Sequence, residues 1–116
     1  MGVIRGAICA KNTVEDIGQK SVDLIRAILD DNAISPDRIE AIIFSATDDI
    51  NACYPAASVR ERFNFGNVAF MCLQEMSVPN SLPNCIRVCV LVKGLAQNKC
   101  KHCYLGEAKV LRPDLK

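Results

Sequence analysis

The stretch Cys85-Ile86-Arg87-Val88-Cys89-Val90-Leu91-Val92 constrains the fold more than any other. It is apolar at seven of its eight positions and rich in β-branched residues. That is the pattern of a strand buried on both faces. One cation interrupts it. A guanidinium in such a strand costs several kcal/mol in order of magnitude unless an anion or a set of acceptors meets it. Alternation puts Arg87 on the face of Cys85, Cys89 and Leu91. Something anionic is expected over that face. It is either a carboxylate from elsewhere in the chain or an anionic ligand in a pocket lined by the sheet.

The totals narrow the class. A chain of 116 residues is expected to fold as a single domain, 1–116. Half of it is apolar, enough for a real core, and the net charge is +1. Neither nucleic acid nor an anionic membrane surface is indicated as a partner. No apolar run approaches the length of a membrane span. Met1-Gly2-Val3-Ile4-Arg5 lacks the layout of a signal peptide, and Gly6 stands where myristoylation needs Ser or Thr. The seven cysteines therefore read as reduced thiols in a cytoplasm. Cys72, Cys85 and Cys89 sit inside apolar runs, as small hydrophobes do. Cys100-Lys101-His102-Cys103 has the spacing of half a zinc site or of a redox pair, but no second ligand pair exists for a structural zinc. No metal is expected; a thiol or metal protein centred on Cys100 and Cys103 is the reading that metal analysis and thiol titration would test.

Taken in order, Val3 to Ile8 reads as a first strand, broken by Arg5 and Gly6. Thr13 offers a helix N-cap with Asp16 three residues on. Val14, Ile17, Ser21, Leu24, Ile25, Ile28 and Leu29 follow at helical spacing. This predicts an amphipathic helix of about five turns, ending at Asp30-Asp31-Asn32, with one stripe laid on a sheet. Ser35-Pro36-Asp37 is a turn. Ile39 to Ala46 reads as a second buried strand, running into the polar loop Ser45 to Asp49. Strand ends beside a covering helix are where ligand groups collect. Pro55 opens a short helix that ends near Phe63 to Gly66. Val68 to Leu73 is a third strand, Cys85 to Val92 the next, and His102 to Leu105 a last short one. Pro113 stops any helix in the tail. The order is that of a mixed-sheet α/β (α+β) layer fold with one long and one short helix. Two helices cannot cover both faces of such a sheet, so a homo-oligomer is expected.

Arg5, Arg60, Glu75, Arg87 and Arg112 are the charged residues in apolar context, with Tyr104 nearby. Several arginines against one carboxylate suit a small ligand with more than one carboxylate, because the guanidinium fork meets a carboxylate with two parallel hydrogen bonds. There is one histidine, no Gly-rich phosphate loop and no convincing Ser-His-Asp set. Catalysis here would work by positioning and fixed charge rather than covalent chemistry.

These residues carry a family likeness. The chain resembles the monofunctional chorismate mutases of mixed α/β type (the AroH class). The matching segments are Arg5-Gly6-Ala7, Asn12-Thr13, Ser45 to Asp49, Tyr54-Pro55-Ala56 through Arg60, and Cys72-Leu73-Gln74-Glu75-Met76. They continue with Cys85-Ile86-Arg87-Val88, Tyr104-Leu105 and Val110 to Leu115. The resemblance covers nearly the whole chain. It implies the Claisen rearrangement of chorismate to prephenate, in the shikimate route to phenylalanine and tyrosine, with no cofactor. It also implies a homotrimer with a pseudo-α/β-barrel core and active sites between subunits.

By the same resemblance Arg87 meets the ether oxygen as charge grows on it and also reaches a carboxylate. Arg5 and Tyr104 hold the side-chain carboxylate. Glu75 accepts from the ring hydroxyl, with Cys72 beside it. Tyr54, Ala56, Phe70, Met71 and Leu111 form walls, and Leu73 and Gln74 complete the binding strand. Arg60 and Arg112 help electrostatically at the mouth, through a C-terminal tail that orders on binding. Each has a plainer reading: Arg5 pairs with a helix carboxylate, Glu75 is the partner of Arg87 or Arg5, Arg60 and Arg112 are solvated, and Cys72 and Tyr104 are packing. Ala57 stands where relatives can carry a lysine, and Phe70-Met71 is bulkier than in relatives. The alternative function is a non-catalytic trimeric binder of small dicarboxylates at the same interface.

Overall fold

Five strands form one sheet in the computed structural model, which describes residues 1–114. Leu115, the last residue of the matching tail segment, lies outside the described residues. The strands are β1 (Gly2–Cys9), β2 (Ile39–Ala46), β3 (Ala69–Gln74), β4 (Cys85–Val92) and β5 (Cys103–Tyr104), in the spatial order β3-β2-β4-β1-β5. β4 runs antiparallel to β1 and β2, while β3 is parallel to β2 and β5 parallel to β1. A parallel pair needs a crossover, and α2 (Pro55–Arg62) supplies it between β2 and β3. The architecture is thus a mixed α+β layer fold, as the element order implies.

The long helix α1 (Val14–Asp31) covers one face. Ile17, Leu24, Ile25 and Ile28 are buried against Ile4 and Ile8 of β1, Ile42 and Phe44 of β2, and Ile86, Val88 and Val90 of β4. Each such side chain contributes roughly 1.5–3 kcal/mol on full burial, which holds a helix that would be marginal alone in water. Its start is capped as the sequence predicts: Thr13 Oγ1 accepts from the Asp16 N–H at 3.1 Å. The Asp16 carboxylate, however, reaches past the cap and accepts the Lys11 N–H at 2.7 Å. Val14 is a correction to the expected stripe. It is 57% exposed, because at the first helical turn it projects beyond the sheet.

The expectation that the Cys85–Val92 strand is buried on both faces is also corrected. Ile86, Val88, Val90 and Val92 are buried, but Arg87 is exposed and Cys89 and Leu91 only half-buried. Both helices pack on the same side, so the other face lacks a cover over most of its area. Among the described residues only its β1–β4 end is closed. There the 3-10 segment Gly106–Leu111 buries Ala108 against Ala7 and Cys85, with Tyr104 and Leu111 packed alongside. Among the described residues no helix is long and apolar enough to cross a membrane.

Candidate active site

Strand register builds a line of side chains across the open face. Leu73 pairs with Ser45, Ser45 with Arg87, Arg87 with Ala7, and Ala7 with Tyr104. The next line along the strands is Met71, Ile43, Cys89 and Arg5. Ala7 contributes only a methyl group, so the line is low between Arg87 and Tyr104. Arg5 stands two residues before Ala7 on the same face, as strand alternation requires.

Glu75 is the anion that Arg87 demands. Its N–H donates to Ala46 O at 2.9 Å, which extends the parallel ladder one residue past β3. Its carboxylate then faces the open side. Oε1 accepts from Ser45 Oγ at 2.7 Å and lies 3.6 Å from Arg87 Nε. Both charged side chains remain partly exposed. A pair in that setting contributes at most about 1 kcal/mol, so a competing anion can take the guanidinium cheaply.

Arg5, Tyr104 and Arg112 gather at the other end of the line. The Arg112 guanidinium lies 5.9 Å from the centre of the Tyr104 ring. Asp114 engages Arg112 through both oxygens, Nε to Oδ1 at 3.1 Å and Nη2 to Oδ2 at 2.8 Å. That contact holds the Asp114 carboxyl below the usual carboxylate range, with Arg5 adding a smaller pull. His102 is placed here too, its Nδ1 accepting the Arg5 N–H at 2.9 Å. Burial first, then the positive charges of Arg5 and Arg112, lower its proton affinity. Leu111 lies in the small cluster beneath Tyr104.

The remaining expected residues collect at the opposite edge. Tyr54, Ala56, Arg60, Phe70, Met71 and Cys72 line a hollow of about 330 Å³ together with Ala57. Leu73 and Gln74 line a neighbouring one of about 450 Å³ beside the loop from Thr47 to Pro55. Arg60 stacks over the Phe70 ring at 5.2 Å. Cys72 turns toward the helical side and packs on the main core. Met71 and Leu73 face the open side and are more than half exposed.

One chain therefore brings Arg5, Glu75, Arg87, Tyr104 and Arg112 onto one surface, and holds the Tyr54–Arg60–Phe70 group apart from Arg5 and Tyr104. β3 and β1 are three strand spacings apart, roughly 14 Å at about 4.8 Å each. Three residues of the surface escaped the sequence reading as site residues: Ser45, His102 and Asp114. Ser45 had a signal, being the single hydroxyl within an apolar strand. Cys100 and Cys103 diverge: the first thiol donates to Ala96 O at 3.7 Å and the second to Asp31 Oδ2 at 3.3 Å.

Comparison with known proteins gives a consistent result. The family model described as chorismate mutase type I matches residues 1–115. Chorismate mutase AroH of Bacillus subtilis (strain 168) is 40% identical over 114 residues, spanning 97% of this chain and 90% of that protein. Chorismate mutase AroH of Thermus thermophilus is 38% identical over 115 residues, spanning 97% and 93%. Among solved structures, a chorismate mutase from Clostridium thermocellum superposes with a TM-score of 0.89 at 36% identity. It covers 95% of this chain and 99% of that one.

Proposed function

The chain belongs to the chorismate mutase type I family, and we propose that it rearranges chorismate to prephenate on the line of residues centred on Arg87. It is an isomerase by that membership, in aromatic amino acid biosynthesis, and the reading as a non-catalytic dicarboxylate binder is not favoured.

The chemistry follows from charge. Chorismate carries two carboxylates, an enol ether oxygen and a ring hydroxyl. As its carbon–oxygen bond breaks, the ether oxygen gains negative charge. A fixed cation at that oxygen binds the transition state more tightly than the ground state. Arg87 takes this role and also reaches a carboxylate. Its backbone is fixed in β4, between β2 and β1, and its guanidinium is only weakly engaged by Glu75. Arg5 and Tyr104 hold the side-chain carboxylate and the compact conformer. Glu75, steadied by Ser45, accepts from the ring hydroxyl. Holding the substrate in its reactive shape supplies part of the rate, and the guanidinium a further share.

The walls come from a second copy. The open face offers Met71 and Leu73 exposed, with Ile43 and Leu91 half-buried, and such a face is stable only when covered. A homotrimer of pseudo-barrel form would set the Tyr54–Arg60–Phe70 edge of one subunit over the Arg5–Arg87–Tyr104 surface of the next. The seven unpaired cysteines suit a reducing cytoplasm. The observation that carries the reading is the register that lines Ser45, Arg87 and Tyr104 across one face, with the Glu75 carboxylate reaching Ser45 and Arg87 from the end of β3. A direct ultraviolet assay of chorismate disappearance tests it: turnover without added cofactor is expected, and binding without turnover would remove the mechanism.

A further inference from the structure

We propose that His102 is a positioning residue for Arg5, serving as a neutral hydrogen-bond acceptor where the sheet has no strand to offer. The inference rests on the reading of Arg5 as a carboxylate-binding residue.

Alternate residues of β1 turn their polar backbone groups to opposite sides. The Ala10 N–H donates to Asn84 O, so the even-numbered residues of β1 pair with β4. Val3, Arg5 and Ala7 therefore turn their N–H and C=O groups to the outer edge. β5 has only two residues and pairs with Gly6 and Ala7. Beyond it the Leu105 N–H donates to Ala7 O at 2.9 Å. Ahead of it, side chains stand in for the missing strand. The Gln97 carboxamide accepts the Val3 N–H at 2.8 Å and donates to Val3 O at 2.9 Å. His102 Nδ1 accepts the Arg5 N–H at 2.9 Å. The backbone of a carboxylate-binding arginine is thus pinned by an imidazole lone pair.

That bond defines a chemical state. Nδ1 accepts only when it bears no proton, so the ring is neutral with its hydrogen on Nε2. Protonation would set two N–H donors against each other and release the Arg5 segment of β1. The surroundings oppose protonation. Arg5 faces the ring from β1 and Arg112 from the tail, with Asp114 engaged by Arg112. Lys101 is its chain neighbour. Asp31 of α1 is engaged by the thiol of Cys103, the residue after His102.

The chain has one histidine, so its ring nitrogens can be read individually by NMR in protein labelled with nitrogen-15 histidine. At pH 8 an unprotonated Nδ1 and a protonated Nε2 are expected; a proton on Nδ1 overturns the proposal. Kinetics supplies the second readout. In the native protein kcat/KM should fall as the pH drops through the His102 pKa measured in that titration, levelling at or below the activity of His102→Ala. His102→Ala should lower kcat/KM roughly three- to tenfold, the scale of one hydrogen bond, mainly through KM. His102→Asn, whose Oδ1 accepts but does not titrate, should restore most of the loss and remove the acid limb. An unchanged acid limb in His102→Asn, or native kinetics in His102→Ala, overturns the proposal. Should His102→Ala fail to fold, the Asn variant and the NMR result decide. Arg5→Ala separates the two levels: native activity in that variant defeats the role given to Arg5, whereas its loss alongside indifferent His102 variants defeats only the role given to His102.

Discussion

Arg87 stands on β4 and Glu75 one residue past the end of β3, yet the Arg87 Nε lies 3.6 Å from Glu75 Oε1. Ser45, on the strand between them, holds that same oxygen at 2.7 Å. The pair is loose and partly wet, and Ser45 keeps the carboxylate in place when the guanidinium is drawn to another anion. A cation so weakly committed is available for chemistry.

Arg87→Ala should therefore cost activity rather than fold. Deleting one donor to a developing oxyanion costs roughly 3 kcal/mol, a hundredfold or more in kcat. Arg87→Lys should also fail badly, because a point charge cannot meet two oxygens in parallel. Steady-state kinetics on both variants, with melting temperatures beside them, checks this. Near-native turnover by either would remove Arg87 from the centre of the reaction.

The open sheet face yields a prediction about assembly. Leu73→Glu places a carboxylate on that face, directly across from Ser45 and two residues before Glu75. Sedimentation or native mass measurement should show trimers for the native chain and smaller species for the variant, with activity lost alongside. A native chain that stays monomeric at micromolar concentration would leave the expected shared site without its second half.

Gly6 marks a close approach of backbone to backbone in the core. A Cβ there would lie 2.7 Å from Cys103 O and 3.1 Å from a Leu24 methyl. The first of these is backbone and cannot step aside. Gly6→Ala should lower stability by about 1–3 kcal/mol, the usual range for overpacking, and should loosen β5 and with it Tyr104. Chemical denaturation measures the loss, and a variant as stable as the native chain would contradict the packing.

Burial pushes the Cys103 thiol up to about 12, with its bond to Asp31 adding to the effect. Cys85 is pushed up to about 11, again chiefly by burial. At pH 8 both should stay protonated and resist an aromatic disulfide reagent in the folded protein, while a half-buried thiol away from the open sheet face, Cys100, reacts first. All seven should react on denaturation. Rapid modification of Cys103, or stoichiometric zinc on the purified protein, would revive the reading of Cys100 and Cys103 as a functional pair.

A lysine at position 57 would add positive field that this chain forgoes with Ala57. The structure places Ala57 in the hollow with Tyr54, Arg60 and Phe70, where Arg60 is the nearby cation. Ala57→Lys should lower KM for a dianionic substrate at low salt, with the gain fading as salt rises. No change in KM at low ionic strength would mean that this hollow does not face the substrate.

The sequence alone determined what repeats over short distances. Alternation in Cys85–Val92 set the face of Arg87, and helical spacing from Ile17 to Leu29 set the stripe that covers the sheet. Thr13 marked where the helix begins. The lone cation in an apolar strand pointed to an anion nearby, although Arg87 itself is exposed, and the motif set carried the family. Tertiary structure decided which anion, because Glu75 reaches Arg87 only through the register of β3 on β2 and β2 on β4. It also left β4 open on one side, exposed Val14, turned Cys72 away from Glu75 and put His102 against Arg5. The physical reason is range. Periodicity and capping are local, so a short window of residues contains them. Register and edge satisfaction join residues as much as 97 positions apart, as in the bond from Arg5 to His102, and no local pattern records such a pairing.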